Sequence, residues 1–421
     1  MQTQAGILVP QRPERVVAKC PEDASEKQKL FSLLLNVTEA CNIRCGYCVY
    51  GGTYPGKRQH NNTRMSVDTA FQAIDYLAAH SAQAEHPFRM LGWYGGEPLT
   101  NFKVIKASAR YFRKTFTGLP SQFHLTSNGL LWDEEILDFF AEYEVDLVVS
   151  LDGPKPIHNR NRVGPKGEGT FDRVMANLDR LRARHPGYFT QKVTLNAVAT
   201  APLDLVELDQ FFMQFPVQVS ISSVEPNDFS GDGPEPIEAK GWSQMREKFI
   251  GACLERAFDT PEFKARGYNF VYYLFIRDMQ RLHQRNPMPG FEAELPAYGN
   301  CVPGAERLFV NARGGFETCE KTDGSAVMTL GTIATGVSEA GAASIYDQFN
   351  AMKNDACRSC FNVRQCTMCF AHAQHGDGFS ARKRAWNCAG LRRRSKEMLS
   401  LYCEILELDP QALDFTTKKM T

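Results

Sequence analysis

The segment Cys41-Asn42-Ile43-Arg44-Cys45-Gly46-Tyr47-Cys48 contains three cysteines within eight residues. It follows shortly after the apolar run 31–37, Phe-Ser-Leu-Leu-Leu-Asn-Val, whose short length and lack of helical periodicity predict a buried β-strand. The cysteines are therefore expected on the loop that leaves the carboxyl end of this strand. Because ligands bind at that end of the strands in α/β folds, the sequence predicts a ligand site around the cysteines.

The C-x3-C-x2-C spacing leaves three thiolates free to converge on one centre, as in the short loops that hold cuboidal iron–sulfur clusters. A four-iron cluster takes about four ligands, so one iron would stay open. Two alternatives remain at this point: a structural zinc loop and a set of buried thiols.

From residue 29 to about 224 the sequence alternates between strand and helix patterns. Ser66 is a good N-cap for the first helix, whose apolar residues recur every three or four positions. The predicted strands are 31–37, 88–94, 122–126, 145–151, 192–199 and 217–223, and the later helices are 102–115, 133–142, 171–184 and 204–214. This order predicts a parallel sheet covered by helices, either a partial barrel or an open doubly wound sheet.

Polar or glycine-rich groups follow most of these strands. Residues 95–98 read Gly-Gly-Glu-Pro, where the glycines allow close approach of the backbone to a ligand. Residues 126–129 read Thr-Ser-Asn-Gly, for which a plain turn is the simplest interpretation. The stretch 150–154, Ser-Leu-Asp-Gly-Pro, is followed by His158 and Arg162. For Asp152 and His158 a polar network that fixes the loop is at least as good an interpretation as catalysis.

Seven more cysteines lie between residues 301 and 388. The first two form a C-x12-G-x4-C pattern around Gly314, and the full set is Cys301, Cys319, Cys357, Cys360, Cys366, Cys369 and Cys388. Zinc ribbons usually separate their cysteine pairs by about fifteen residues or more. Here five residues separate the pairs and three cysteines would be left over, so iron–sulfur chemistry is favoured.

The two cysteine-rich regions together resemble the radical S-adenosylmethionine (radical SAM) peptide maturases that carry a SPASM extension. Tyr47, one residue before the third cysteine, completes the resemblance to the radical SAM signature. The final C-x2-C departs from the usual C-x3-C of the extension. The resemblance implies an α/β fold, a partial (β/α)6 TIM barrel with a C-terminal SPASM iron–sulfur domain. It also implies S-adenosylmethionine and three [4Fe–4S] clusters, one that binds S-adenosylmethionine and two auxiliary ones.

The same resemblance implies roles for individual residues. Cys41, Cys45 and Cys48 would hold the first cluster, and Tyr47, Gly95, Gly96, Glu97, Ser150, Arg162 and Val224 would bind S-adenosylmethionine. In that family the Gly-Gly-Glu-Pro element binds the amino group, the serine and arginine contact the nucleoside and carboxylate, and the valine lies beneath the adenine. Cys357, Cys360, Cys366 and Cys388 would hold the distal auxiliary cluster, and Cys301, Cys319 and Cys369 the near one. Beyond the cluster, no catalytic residue is assigned.

Relatives with a fully ligated near cluster have another cysteine close to the first of the seven. Residues 294–300 contain none, so we expect an open iron there unless Cys20 or Cys253 folds back. Such an iron could hold a substrate thiolate, since metals bind the deprotonated thiol.

The glycine-rich segment 50–58 and residues 150–163 are most similar to maturases of thioether-bridged peptides. This resemblance implies a ribosomally made precursor peptide as substrate, hydrogen abstraction by a 5′-deoxyadenosyl radical, and a sulfur-to-carbon cross-link. The alternatives are a carbon–carbon cross-link, formylglycine formation by an anaerobic sulfatase maturase, and a non-catalytic zinc-binding interaction protein. No flavin or ferredoxin-like domain is evident, so an external flavodoxin or ferredoxin is expected. Residues 1–28 leave no room for a leader-recognition domain, so a partner protein or the barrel face would recognise the leader.

The chain has 48 basic and 48 acidic residues, so no net charge draws it to nucleic acid or membrane. Thirteen cysteines without a secretory signal or a membrane span favour a cytoplasmic protein with metal-binding thiols. The expected organisation is an arm (1–28), a barrel (29–240), a bridging helical region (241–295), the SPASM domain (296–390), and a helix and tail (391–421), the helix spanning 391–406.

Overall fold

The structure is a computed structural model, and it describes residues 12–18, 29–54, 56–224, 238–260, 263, 269–285, 293–296, 301–322, 324–352 and 355–417. Cys20, most of the predicted arm, the predicted linker at 225–236 and residues 297–300 lie outside the described residues.

Six parallel strands lie side by side in chain order. They are β1 (Ser32–Thr38), β2 (Arg89–Gly95), β3 (Ser121–Ser127), β4 (Asp146–Ser150), β5 (Val193–Ala199) and β6 (Gln218–Ser223). Each pairs in parallel with the next. A doubly wound sheet would reverse direction around its first strand. The observed order is instead that of the predicted partial barrel, which is confirmed over the doubly wound alternative.

Helices cover the outside of these strands. They are α1 (Val67–Ala79), α2 (Phe102–Thr115), α3 (Glu134–Glu142), α4 (Lys155–Asn161), α5 (Phe171–Arg184), α6 (Pro186–Lys192) and α7 (Leu205–Phe212). The predicted N-cap is confirmed, because the Ser66 side chain accepts a hydrogen bond from the Thr69 amide. The apolar residues of α1 face inward, with Ile74 and Leu77 buried against the core.

The C-terminal cysteine region shares a sheet with the barrel. Strand β7 (Arg307–Val310) pairs in parallel with β1, and β8 (Gly315–Glu317), β9 (Thr329–Thr332) and β10 (Gly336–Val337) continue antiparallel from it. The main sheet therefore has ten strands. Because β8 ends two residues before Cys319, the sheet itself fixes where the near cysteines begin.

The remaining helices are α8 (Trp242–Leu254), α9 (Asn269–His283), α10 (Glu339–Ala351), α11 (Asp355–Arg358) and α12 (Ala381–Leu408). The helix predicted for 391–406 thus begins ten residues earlier, because the Ser380 side chain caps it at the Lys383 amide. The expected domain boundary at 390 and 391 falls inside α12, and Cys388 is a helical residue. In the part of the chain that the structure describes, no helix is long and apolar enough to cross a membrane.

Four short pairs of strands stand apart from the main sheet. They join Arg15–Val17 to Glu294–Pro296, Arg44–Cys45 to Arg162–Val163, Leu203–Asp204 to Ala239–Lys240, and Gln374–His375 to Gly378–Phe379. The second pair matters for function, because it brings Arg162 directly opposite Cys45.

Candidate active site

The first cysteine loop is held at the carboxyl end of β1 by backbone hydrogen bonds. The Gly96 and Glu97 amides donate to the carbonyls of Thr38 and Ala40, both at 2.9 Å. A Cβ on Gly96 would lie 2.2 Å from the Ala40 oxygen, and one on Gly95 would lie 2.3 Å from the Thr38 oxygen. The two glycines are therefore required because the backbone here approaches the cysteine loop itself, and not only because a ligand approaches.

The three thiols of this loop fit an iron–sulfur cluster. Burial raises the pKa of Cys41 to about 12 and that of Cys45 to about 11, and the negative charge of neighbouring cysteines adds to both shifts. A cationic iron centre would stabilise the thiolates that burial disfavours.

Glu97 is buried and its carboxylate is already hydrogen-bonded. Oε1 accepts from the Ser127 hydroxyl at 3.0 Å and from the Leu99 backbone N–H at 3.3 Å. Oε2 accepts from the Asn128 backbone N–H at 2.7 Å. Burial nevertheless raises the pKa of Glu97 to about 7. This carboxylate ties the end of β3 to the Gly-Gly-Glu-Pro segment and also lines the cavity described below.

Asp152 and Arg162 form a buried ion pair beside the cysteines, with side-chain exposures of 1% and 8%. Arg162 Nε donates to Asp152 Oδ1 at 3.0 Å, and the Tyr47 hydroxyl donates to Asp152 Oδ2 at 2.6 Å. Burial by itself would lower the pKa of Arg162, but neighbouring negative charges, that of Asp152 among them, outweigh it and raise the pKa. The Tyr47 pKa is raised, first by burial and then by Asp152. The predicted residues Tyr47 and Arg162 are thus joined through Asp152.

His158 fixes the same loop. Its Nδ1 accepts from the Asp152 amide at 3.4 Å, and its Nε2 lies 3.0 Å from the Thr170 hydroxyl, which donates to the Arg162 carbonyl at 2.7 Å. Burial and then the charge of Arg162 lower the pKa of His158 to about 4, so the imidazole is neutral at pH 7. Since both ring nitrogens are engaged, the geometry supports the loop-fixing interpretation of Asp152 and His158.

A cavity of about 580 Å³ opens at the carboxyl ends of the barrel strands. Cys41, Cys45 and Cys48 line it together with all seven residues predicted to bind S-adenosylmethionine, namely Tyr47, Gly95, Gly96, Glu97, Ser150, Arg162 and Val224. The barrel strand order thus brings together residues that are up to 183 positions apart in sequence, from Cys41 to Val224.

A family model described as the radical SAM superfamily matches residues 35–198, which contain the cysteine loop and β1 to β5. The chain contains a radical SAM domain. Proteins of this superfamily bind S-adenosylmethionine and a [4Fe–4S] cluster, and the thiols and cavity just described fit both.

Two curated proteins are similar in sequence to this chain. The chain is 27% identical over 284 residues to a cysteine-type anaerobic sulfatase-maturating enzyme of Clostridium novyi, covering 66% of this chain and 73% of that protein. It is 24% identical over 143 residues to the radical SAM cyclopropyl synthase TigE of Paramaledivibacter caminithermalis, covering 32% and 30%. The chain spans less than half the length of the first three curated relatives that it matches.

The fold outside the radical SAM domain also has a solved counterpart. A structure described as native anSMEcpe with bound AdoMet aligns over 92% of this chain and 99% of its own, with a TM-score of 0.63 and 17% identity. The similarity extends past residue 198, so the C-terminal cysteine region belongs to the shared fold.

The division of the C-terminal cysteines into a near and a distal group stays a prediction, and the charges around two of them can be compared with it. The pKa of Cys301 is raised to about 11, by burial first and then by the charges of Cys319 and Cys369. The pKa of Cys357 is likewise raised to about 11 by burial, opposed by Arg384 and reinforced by Cys388, Cys366 and Cys360. In each case the cysteine charges that raise the pKa come from the same predicted group.

Residues that follow the near cysteines line the same cavity as the radical SAM cysteines. Glu320 and Lys321 come directly after Cys319, and His372 lies three residues after Cys369. Lys383 and Trp386, from the first turns of α12, complete this wall.

The glycine-rich segment after Cys48 packs against the C-terminal region. The Tyr50 hydroxyl and the Lys57 ammonium donate to the carbonyls of Glu320 and Lys321. A Cβ on Gly324 would lie 2.4 Å from the Arg58 nitrogen, so the two backbones touch. These contacts join the radical SAM domain to the loop after Cys319.

Some site residues were not predicted. His60 Nε2 lies 3.4 Å from Cys48 Sγ, and the Asn128 amide group donates to the Asn42 side chain at 2.8 Å. Asn196 Oδ1 accepts from the Ser220 and Ser222 hydroxyls at 2.8 and 3.0 Å. An asparagine within an apolar strand such as β5 was a usable signal for Asn196, whereas nothing in the spacing of His60 pointed to Cys48.

Proposed function

We propose that this protein is a radical SAM enzyme that forms a thioether cross-link in a ribosomally made precursor peptide. One hydrogen atom would pass from an unactivated carbon of the peptide to the 5′-deoxyadenosyl group, and a cysteine sulfur would bond to that carbon. The thiol proton would be released to water, and the remaining electron would pass to the iron–sulfur group that the near cysteines would hold. S-adenosylmethionine and the iron–sulfur groups supply the radical chemistry when bound. The protein's own residues orient the cosubstrate and the peptide and exclude water from the cavity.

One observation carries this proposal: the near cysteine group and the radical SAM cysteines adjoin a single cavity. Glu320, Lys321 and His372, which follow the near cysteines in the chain, line it together with Cys41, Cys45 and Cys48. A peptide thiolate held near Cys301, Cys319 and Cys369 would then lie within reach of a carbon facing the radical site. Holding both reacting groups in one cavity supplies the proximity that such a bond requires.

An open coordination position in the near group is part of the proposal. Cys253 is fully buried between helices, and burial raises its pKa to about 12 with Arg256 as the one charge that opposes the shift. No near-group cysteine contributes to that shift, which argues against Cys253 as the missing ligand. Cys20, the other candidate, lies outside the described residues. The proposal takes three cysteines of the chain as ligands, so that the fourth position would be left for a substrate thiolate.

Formylglycine formation is the second candidate, because the sulfatase-maturating relative of Clostridium novyi aligns over 66% of this chain. In that reaction a cysteine or serine of a protein would be oxidised without a cross-link. A carbon–carbon cross-link is a further product that the same cavity could accommodate.

The proposal is tested by mass spectrometry of the small peptide encoded beside this gene, after anaerobic reaction with the reconstituted enzyme. We expect the peptide to lose two hydrogens and one alkylatable thiol. A loss of two hydrogens with every thiol still alkylatable would indicate a carbon–carbon bond, and loss of sulfur with gain of oxygen would indicate formylglycine.

A matched pair of variants connects the product to the near group. Cys369→Ala should keep S-adenosylmethionine cleavage but lose the cross-link. Cys403→Ala, an exposed cysteine of α12 outside both groups, should keep both activities. Equal cross-linking by the two variants would contradict the role of the near group.

The proposed cofactors are S-adenosylmethionine and three [4Fe–4S] clusters, held by the cysteine groups described above. The proposed partners are the precursor peptide, an external flavodoxin or ferredoxin as electron donor, and a separate leader-recognition protein. A cytoplasmic location accords with this set of partners.

A further inference from the structure

The segment around the distal cysteines is strongly basic in a chain that is neutral overall. Residues 355–397 contain nine Lys or Arg and three Asp or Glu, a net charge of +6, whereas the whole chain has 48 of each. Local charge of this size attracts an oppositely charged partner even when the net charge of the protein does not.

Part of this charge is already used within the fold. Arg394 pairs with Asp278 at 2.9 Å, and Arg384 donates to the carbonyls of Phe349 and Met352 at 3.0 Å. Arg384 also hydrogen-bonds Cys357. These two arginines therefore support the distal group and α12 and are not available to a partner.

Three other cations of the segment are exposed on α12. Arg392, Arg393 and Lys396 have no acidic partner among the residues that the structure describes. Arg392 lies one helical turn after Cys388 on α12. At least one of the free cations therefore lies beside a cysteine of the distal group.

A groove of about 200 Å³ lies beside two of these cations, because Ser395 and Leu399, which line it, are three residues after Arg392 and Lys396 on α12. Arg281, Arg285 and Phe361 also line this groove. Phe361 follows Cys360 directly and is 56% exposed, the one aromatic among the large exposed hydrophobic side chains of the described residues. An exposed aromatic side chain that shares a groove with arginines is typical of a protein-binding surface.

We infer that this distal face, made of Arg285, Phe361, Arg392, Arg393 and Lys396, is the docking surface for an acidic one-electron carrier protein. The inference rests on the proposed function, which needs an external electron. The carrier loses one electron to the protein for each S-adenosylmethionine cleaved, so the carrier is oxidised and the sulfonium is reduced. Charge complementarity selects an acidic partner, and contact beside Cys388 and Cys360 selects one that exchanges electrons there.

The alternative occupant is the acidic part of a precursor peptide. It is disfavoured because the peptide must reach the cavity lined by Cys41 and His372, and none of the residues of the distal face lines that cavity.

The test uses the reconstituted holoenzyme and a flavodoxin as the probe. The triple variant Arg392→Glu, Arg393→Glu, Lys396→Glu is compared with Lys166→Glu, Arg173→Glu, Arg182→Glu. The control residues are exposed cations, Lys166 in the loop before α5 and the other two on α5, and their substitution changes the net charge equally. Direct binding of oxidised flavodoxin is measured at several ionic strengths, and S-adenosylmethionine cleavage is measured with reduced flavodoxin and with dithionite.

We expect flavodoxin binding by the distal variant to weaken by about tenfold or more at low salt, with its salt dependence largely removed. Cleavage of S-adenosylmethionine driven by flavodoxin should fall in parallel in the distal variant, while cleavage driven by dithionite should match wild type. The control variant should match wild type in both assays. A Phe361→Ala variant should also bind flavodoxin more weakly without changing the salt dependence.

Unchanged flavodoxin binding by the distal variant would overturn the inference. So would a selective loss of precursor-peptide binding, which would assign the face to the peptide. Because the readouts are carrier binding and cosubstrate cleavage, a failure to modify the peptide would refute the proposed function and leave this result intact.

Discussion

The buried ion pair between Asp152 and Arg162 offers the sharpest test of how the site is held together. The change is Asp152→Asn, which keeps the shape of the side chain and one acceptor oxygen. In the protein, Oδ1 of Asp152 accepts from Arg162 at 3.0 Å and from the Val198 backbone N–H at 3.1 Å, and the asparagine oxygen can accept both. The negative charge is lost, so the Arg162 guanidinium remains buried without a counter-charge, and the Tyr47 hydroxyl loses Oδ2 as its acceptor.

The magnitude follows from the distance and the burial. Two unit charges 3.0 Å apart interact by about 5 kcal/mol at an effective dielectric constant of about 20. Removing one partner of a buried pair costs about 3–5 kcal/mol. Since the asparagine keeps two of the three hydrogen bonds, those from Arg162 and from the Val198 amide, we take about 3 kcal/mol from that range. For a domain of this size, that loss lowers the melting temperature by about 6–12 °C.

The assay is anaerobic thermal unfolding of the holoenzyme, with Asp138→Asn as the matched control. Asp138 also accepts two hydrogen bonds from an arginine, Arg184, at 2.6 and 2.7 Å, but both side chains are exposed by 40% or more. Solvent screens such a pair, so the control should melt close to wild type. The reasoning is refuted if the two variants melt at the same temperature, because burial would then not distinguish the pairs.

Three further predictions concern the carboxylate, a glycine and the cysteines. The pKa of Glu97 is raised to about 7 from an ordinary 4.5. As pH rises from 4.5 through 7, wild type without S-adenosylmethionine should therefore lose about 3 kcal/mol of folding stability relative to Glu97→Gln. The measurement is the difference between the unfolding free energies of the two proteins. The reverse pH trend would contradict the burial of this carboxyl. Gly324→Ala should unfold at a lower temperature than Gly118→Ala. Both glycines have φ near +92°, but only at Gly324 would a Cβ meet another backbone segment. Equal melting temperatures would show that this contact is relaxed. Cys48→Ala should lower the iron content of the reconstituted protein by about a third, whereas Cys403→Ala should not change it, and an equal loss in both would contradict the ligand assignment.

The sequence by itself determined the type of protein and most of the residues at its site. Alternation of strands and helices predicts the parallel sheet because each pattern reflects local burial. The spacing of Cys41, Cys45 and Cys48 predicts their convergence, since residues within one short loop cannot be far apart. Both conclusions rest on local information. The described structure has the parallel sheet, and the three cysteines line one cavity at the ends of its strands.

Other features depend on pairing between distant segments and were decided only by the tertiary structure. The order of the strands separates a partial barrel from a doubly wound sheet, and local patterns do not encode that order. The link between Tyr47 and Arg162 through Asp152 depends on a strand pair 117 positions apart, between Cys45 and Arg162. Two further contacts arise where loops meet in space, namely Gly324 against Arg58 and His60 against Cys48. The spacing of these residues in the sequence does not predict them, because the path of each loop depends on the folded chain around it.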